Sequence, residues 1–132
     1  MKREIKFRAW DKSDNRMIIN EQDFIPVIVT SMGVLRLNPH HEENFWEFIS
    51  DERFELMQFT GLKDKNGKDI YEGDIISTST DKLMVISWSD RFASFCIKRD
   101  GWAFQHWFGE ACNPDECEVV GNIYENSELL KS

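Results

Sequence analysis

Asp64, Asp69, Glu72 and Asp74 crowd one stretch of the chain, interleaved with Lys63, Lys65 and Lys68. Metal-dependent nuclease chemistry would want two or three carboxylates converging on magnesium. Asn66-Gly67 and Gly73 put turns between these acids, and a turn decides where each side chain points, so spacing alone does not bring them to one ion. A metal-dependent hydrolase is therefore the least supported of three functional readings. The same seven residues form a better candidate as a binding loop. A turn would accept Ser or Asn at several of these positions, and loops held by a scaffold often carry binding.

Cys112 and Cys117 flank Asn113-Pro114 and resemble half of a zinc site, with Cys96 and His106 to complete four ligands. Structural zinc favours tight pairs such as Cys-x2-Cys, and only this loose pair exists. The expectation is three reduced thiols, with Cys96 a small apolar residue in a strand core and the other two beside an exposed loop. His40-His41 next to Glu42-Glu43 offers ligands too. Adjacent side chains diverge on a strand and stand ~100° apart around a helix, so a solvated turn is expected there. There is no Gly-x-Ser-x-Gly elbow, no Cys with a His at a spacing that implies contact, and no Gly-rich phosphate loop. No catalytic residue, metal or cofactor is expected, and the chain is read as a non-enzyme.

Composition narrows the partners. The chain has 132 residues, 41% apolar and 13% aromatic, enough for the core of a single domain over 1–132. A net charge of −8 and a pI near 4.9 weaken attraction to phosphate backbones and anionic lipid. The charge is uneven: Lys2, Arg3, Lys6, Arg8, Lys12 and Arg16 outnumber Glu4, Asp11 and Asp14, whereas Glu110 to Glu128 contains six carboxylates and no base. This gives the second functional reading, a nucleic-acid-binding module whose positive stripe joins the N-terminal bases to Lys63, Lys65 and Lys68. A further variant has the acidic tract imitating nucleic acid in the basic cleft of a host enzyme. The opening Met-Lys-Arg leads into alternating charge, and no window approaches the ~20 apolar residues of a membrane helix, so a cytoplasmic protein without membrane contact is expected.

The elements that must position these residues read mostly as strands. Ile5, Phe7 and Ala9 alternate with Lys6 and Arg8, and a polar run from Asp11 to Asn15 leads to Met17-Ile18-Ile19, a first hairpin. Pro26 interrupts an apolar run from Phe24 to Val29. Phe45, Trp46, Phe48 and Ile49, at three- and four-residue spacings, predict a short helix between Asn38 and Phe54. Beyond Glu55 come strands from Leu56 to Thr60, from Ile75, from Leu83 to Trp88, from Ala93 to Lys98 and from Trp102 to Phe104. Gly61, Gly67, Gly73 and Gly121 serve as structural turns, Asn66-Gly67 as type I′, with Gly121 a bulge or a close backbone approach in a last strand. The fold expected is mainly β, a β-rich α+β arrangement. An N-terminal hairpin segment with a short helix fills about 1–54, an SH3-like small barrel about 55–126, and a frayed tail 127–132.

Trp88, Phe92, Phe95, Trp102, Phe104, Trp107 and Phe108 could stack bases, but no basic groove accompanies them, and interior or interface packing explains them better. Trp107 and Phe108 cannot both point inward from one strand, which makes them the candidate self-association surface.

Three blocks in order, Lys2 to Asp11, Met57 to Ile75 and Val120 to Asn126, resemble the YopX family of phage and prophage proteins. The resemblance implies a mainly β fold with an SH3-like C-terminal part and a tendency to self-associate, and it implies no reaction. The first functional reading follows. The chain is a non-enzymatic phage or prophage accessory protein of undefined biochemical role, acting as a homo-oligomeric interaction module with a host or phage protein as further partner.

Overall fold

Alternation sets the first hairpin: β1 (Phe7–Asp11) pairs antiparallel with β2 (Arg16–Ile19), Ala9 opposite Ile18 and Asp11 opposite Arg16. The computed structural model describes residues 4–19, 27–30, 33–38, 45–48, 51–78, 82–98, 106–108 and 113–130. Internal contacts divide the chain into two units, 4–58 and 59–132 with 1–3.

In the first unit, β3 (Val27–Thr30), β4 (Gly33–Asn38) and β5 (Phe45–Phe48) form an antiparallel meander in that order. The expected helix is corrected here: Phe45–Phe48 is a strand in register with β4, Trp46 opposite Leu37 and Phe48 opposite Leu35, and Asp51–Arg53 is a single 3-10 turn. The three- and four-residue aromatic spacing was compatible with a helix. A run this rich in aromatics has strand propensity, and a neighbouring strand offers more hydrogen bonds than an isolated turn of helix. Buried Ala9, Ile18, Val29 and Val34 make this unit's core, with Phe7, Phe54 and Leu56 packed against it.

The long strand β6 (Phe54–Lys63) pairs with β1 through Phe54 to Gln58 and with β7 (Asp69–Tyr71) through Phe59 to Lys63. The expected seam at 54/55 therefore falls at its start. In the second unit, β8 (Asp74–Ser77), β9 (Leu83–Ser89), β10 (Ser94–Lys98), β11 (His106–Trp107) and β12 (Glu118–Asn122) build one antiparallel sheet in the order β11-β10-β9-β8-β12. Its core is Ile70, Ile76, Met84, Ile86, Ile97, Cys117 and Val119. The strand expected over Trp102 to Phe104 lies outside the described residues, as do His40 to Glu43 and Cys112. Part of the tail read as frayed, Ser127–Leu130, is a 3-10 turn.

The bulge read at Gly121 is present, as a register shift between Val119 and Gly121. A Cβ on Gly121 would stand 2.5 Å from Asn126 Oδ1, the oxygen that accepts the Asn122 N–H. Gly121→Ala is expected to cost about 1–3 kcal/mol in chemical denaturation, since Asn126 must leave that bond to make room. An unchanged midpoint would show that Asn126 moves freely.

Candidate functional site

Asp64 and Asp74, read as members of an exposed charged loop, are buried, at 5% and 1% exposure. Asp64 opens a three-residue loop, Lys65 to Gly67. The Gly67 N–H donates to the Asp64 carbonyl at 3.0 Å and the Asp64 N–H to the Lys68 carbonyl at 2.8 Å. Gly67 has φ +80°, while Asn66 is not left-handed. A type I′ turn requires positive φ at both central positions, so the expected turn type is corrected to the hairpin loop in which one left-handed glycine closes the turn.

The Asp64 carboxylate does more than close that loop. Its Oδ1 accepts the N–H groups of Asn66 and Lys68, each at 2.9 Å, and its Oδ2 accepts the Val119 N–H of β12 at 2.9 Å. The Lys65 N–H donates to the Cys117 carbonyl at 3.0 Å. Together these bonds stitch the β6–β7 loop to β12. Burial alone would raise the Asp64 carboxyl, but the N–H groups of Val119, Lys68 and Asn66 outweigh it and hold the pKa below the ordinary carboxylate value. Asp74 acts likewise at the next turn, its Oδ2 accepting the Tyr71 N–H at 2.7 Å. There the Gly73 N–H bonds the Ile86 carbonyl, and the Gly73 carbonyl accepts from Ile123.

The expected charged surface is thereby divided. Lys63 lies 3.9 Å from Asp69 and Lys65 3.8 Å from Glu118. Lys68 is exposed and Glu72 half-buried. On the first unit, Lys6 meets Glu4 at 3.3 Å and Lys12 meets Glu55 at 3.0 Å. Asp11 is 1% exposed, and Arg53 grips both its oxygens, Nε to Oδ1 at 2.9 Å and Nη2 to Oδ2 at 2.8 Å. The N–H groups of Ser13 and Asp14 also donate to Asp11 Oδ1. The Arg53 bond, aided by those N–H groups and opposed by burial, lowers the Asp11 pKa, and Asp11 in turn raises that of Arg53.

The aromatic residues also sort differently from the sequence reading. Phe108 is half-buried against the core of its unit, and its N–H donates to the Phe95 carbonyl at 3.0 Å. The backbone of Trp107 pairs opposite Cys96. Its side chain is outside the described residues. Cys96 is fully buried on β10. Cys117, expected beside an exposed loop, is also fully buried, with its thiol directed at the Pro114 carbonyl at 3.3 Å.

Among the described residues the exposed large apolar side chains include Ile5 and, together at the tip of the β9–β10 hairpin, Trp88 and Phe92, which are 43% and 50% exposed. Met84, Ile86 and Trp88 share one side of β9, and Phe95 stands opposite Trp88, so this pair continues the core stripe past the end of the core. Trp88 and Phe95 meet edge to face at 5.0 Å. The Trp88 indole donates to Asp90 Oδ1 at 3.0 Å, and the Arg91 guanidinium lies 5.5 Å above the Phe92 ring. These contacts hold two large side chains in place while leaving much of each in water.

The sequence pattern of the family described as YopX protein matches residues 6–131. The chain belongs to the YopX family. Among solved structures, protein EF1440 from Enterococcus faecalis is 28% identical to this YopX chain. The match covers 98% of this chain and 100% of that one at a TM-score of 0.60. No curated protein matches. The three blocks that carry the resemblance hold five buried polar or charged side chains, Arg8, Asp11, Asp64, Asp74 and Asn122. Asn122 Oδ1 accepts the N–H groups of Tyr124 and Glu125. In this YopX chain the motifs therefore supply the carboxylates and the amide that fasten its turns. The sequence signal that could have marked Asp11 and Asp64 was their place at the start of polar turns, where an Asp accepts N–H groups two to four residues on.

Proposed function

We propose that this YopX chain is a non-enzymatic phage or prophage accessory protein, working in the cytoplasm of a bacterial host as a homo-oligomeric interaction module. The observation that carries the reading is the half-exposed pair Trp88 and Phe92 at the β9–β10 tip. Rigid aromatics bury large area at low entropic cost and are enriched among interface hot spots. The sheet order β11-β10-β9-β8-β12, a meander whose first strand pairs with its last, supports an SH3-like arrangement for the second unit.

The rival readings find less support in the same geometry. Lys6, Lys12, Lys63 and Lys65 each stand within 4.0 Å of a carboxylate, which lowers their value to a phosphate backbone. The Asp64 carboxylate is engaged by three backbone N–H groups, so as placed it does not present its oxygens to a cation.

Sedimentation at micromolar concentration is expected to show a defined oligomer. The Trp88→Ala/Phe92→Ala double variant is expected to shift it to monomer, raising the dissociation constant about 100-fold, while the circular dichroism stays that of the wild type. A wild-type monomer, or an oligomer indifferent to the double substitution, would remove this assembly surface.

A further inference from the structure

Asn66-Gly67 lies in the exposed part of the Asp64 loop, and beyond its chain neighbours no atom stands within 4 Å of the place a Gly67 Cβ would occupy. An asparagine followed by glycine is the pair whose side-chain amide is most open to attack by the next backbone nitrogen. We propose that Asn66 is a site of spontaneous deamidation held in check by the Asp64 clasp, so that the covalent state of residue 66 records how often this loop opens.

The chemistry needs only water. The Gly67 nitrogen, on losing its proton, bonds to Asn66 Cγ, the Cγ–Nδ2 bond breaks, and ammonia leaves with a proton. Water then opens the cyclic imide at either carbonyl, giving Asp or isoaspartate. In the closed loop two of the participants are held. The Gly67 N–H is committed to the Asp64 carbonyl at 3.0 Å and the Asn66 N–H to Asp64 Oδ1 at 2.9 Å. The Asn66 Nδ2 group lies 3.4 Å from Glu118 Oε1, turned toward β12. Attack requires the Gly67 nitrogen and the Asn66 side-chain amide to leave these contacts, which is a local opening of the loop.

The product works against reclosure. A carboxylate at 66 would face Glu118, whose other oxygen lies 3.8 Å from Lys65. Like charges would replace a donor and an acceptor. Isoaspartate also lengthens the backbone by one carbon inside a three-residue loop, displacing the N–H groups that Asp64 collects. Conversion thus favours the open loop that permitted it.

The test incubates the full chain at mildly alkaline pH, either folded or in concentrated urea, and follows Asn66 by peptide mass spectrometry and isoaspartate detection. The folded chain is expected to convert about tenfold or more slowly than the chain in urea, and folded Asp64→Asn at a rate between the two. If Asp64→Asn does not fold, the wild-type comparison still decides. Equal rates in folded and unfolded wild type would refute protection by the clasp, and an intact Asn66 in urea would refute the site. Converted protein, separated by its extra negative charge, should unfold at lower urea than unconverted protein. An identical midpoint would overturn the claim that conversion favours opening.

Discussion

Asp64→Ala is expected to lower the stability of this YopX chain by about 3 kcal/mol, roughly two charge-assisted hydrogen bonds, the largest effect of any substitution in the charged segment. Three N–H groups lose their acceptor. Those of Asn66 and Lys68 sit in an exposed loop and can turn to water, whereas that of Val119 is anchored in a buried strand. Urea denaturation should register a midpoint drop of about 2 M at a slope of ~1.5 kcal/mol per molar. Asp64→Asn keeps one acceptor oxygen but points an amide donor at an N–H, so its cost should be about half. Lys63→Ala and Lys68→Ala, exposed neighbours in the same segment, should stay within ~0.5 kcal/mol of wild type. Loss of stability confined to Asp64 marks a structural clasp. Were Asp64→Ala to fold as stably as wild type, the clasp would be idle and the carboxylate free for another role.

The same bonds give this carboxylate a pH signature. The Asp64 pKa is lowered on folding, so the unfolded chain binds the proton more readily, and the stability Asp64 contributes is fully present above the ordinary value near 3.8. It is lost as pH falls through the lower folded value. Asp11 has the same sign. Acid denaturation of wild type should therefore begin below about pH 4, with no loss attributable to these two groups near neutrality.

How much of this was readable beforehand follows from the range of the interactions. The β1–β2 hairpin, the β9–β10 hairpin and the bulge at Gly121 depend on alternation and on residues a few positions apart, and they were legible. Phe45 to Phe48 was not, because its partner strand β4 decides its state and periodicity over four residues is ambiguous. The charged segment stands out in the sequence, yet the role of Asp64 within it turns on Val119, 55 positions away. Nothing local distinguishes an Asp that caps its own loop from one that also fastens a distant strand. Trp88 read as one aromatic of seven, and its exposure became visible only once Met84 and Ile86 were seen to fill the core and leave it overhanging. Cys117 reads as the flank of an exposed loop, whereas the 3-10 turn Pro114–Glu116 ends just before it and delivers the thiol to the core.

Arg53→Met should be the second most costly change, about 2–3 kcal/mol. Breaking a buried pair by removing one partner typically costs ~3–5 kcal/mol, and the value here is smaller because the Arg53 side chain keeps 32% of its surface in water. Asp11, at 1% exposure, would be left as a buried carboxylate with only the Ser13 and Asp14 N–H groups for company. Asp11→Asn should cost less, about 1–2 kcal/mol, since the amide oxygen can still accept from those groups while the exposed part of Arg53 finds water. The double variant should lose less than the two single losses added together. A double-mutant cycle should thus return a coupling of about 1–2 kcal/mol, well above the ~0.2–1 kcal/mol of exposed pairs. Arg53 is also what chiefly lowers the Asp11 pKa, so Arg53→Met should move the acid limb of the stability curve to higher pH, the unfolding onset rising toward the ordinary carboxylate value. Additive losses with an unmoved acid limb would mean that the bidentate pair is a surface contact in energetic terms and that the first hairpin is held to the 3-10 turn by its backbone bond from Lys12 to Arg53 alone.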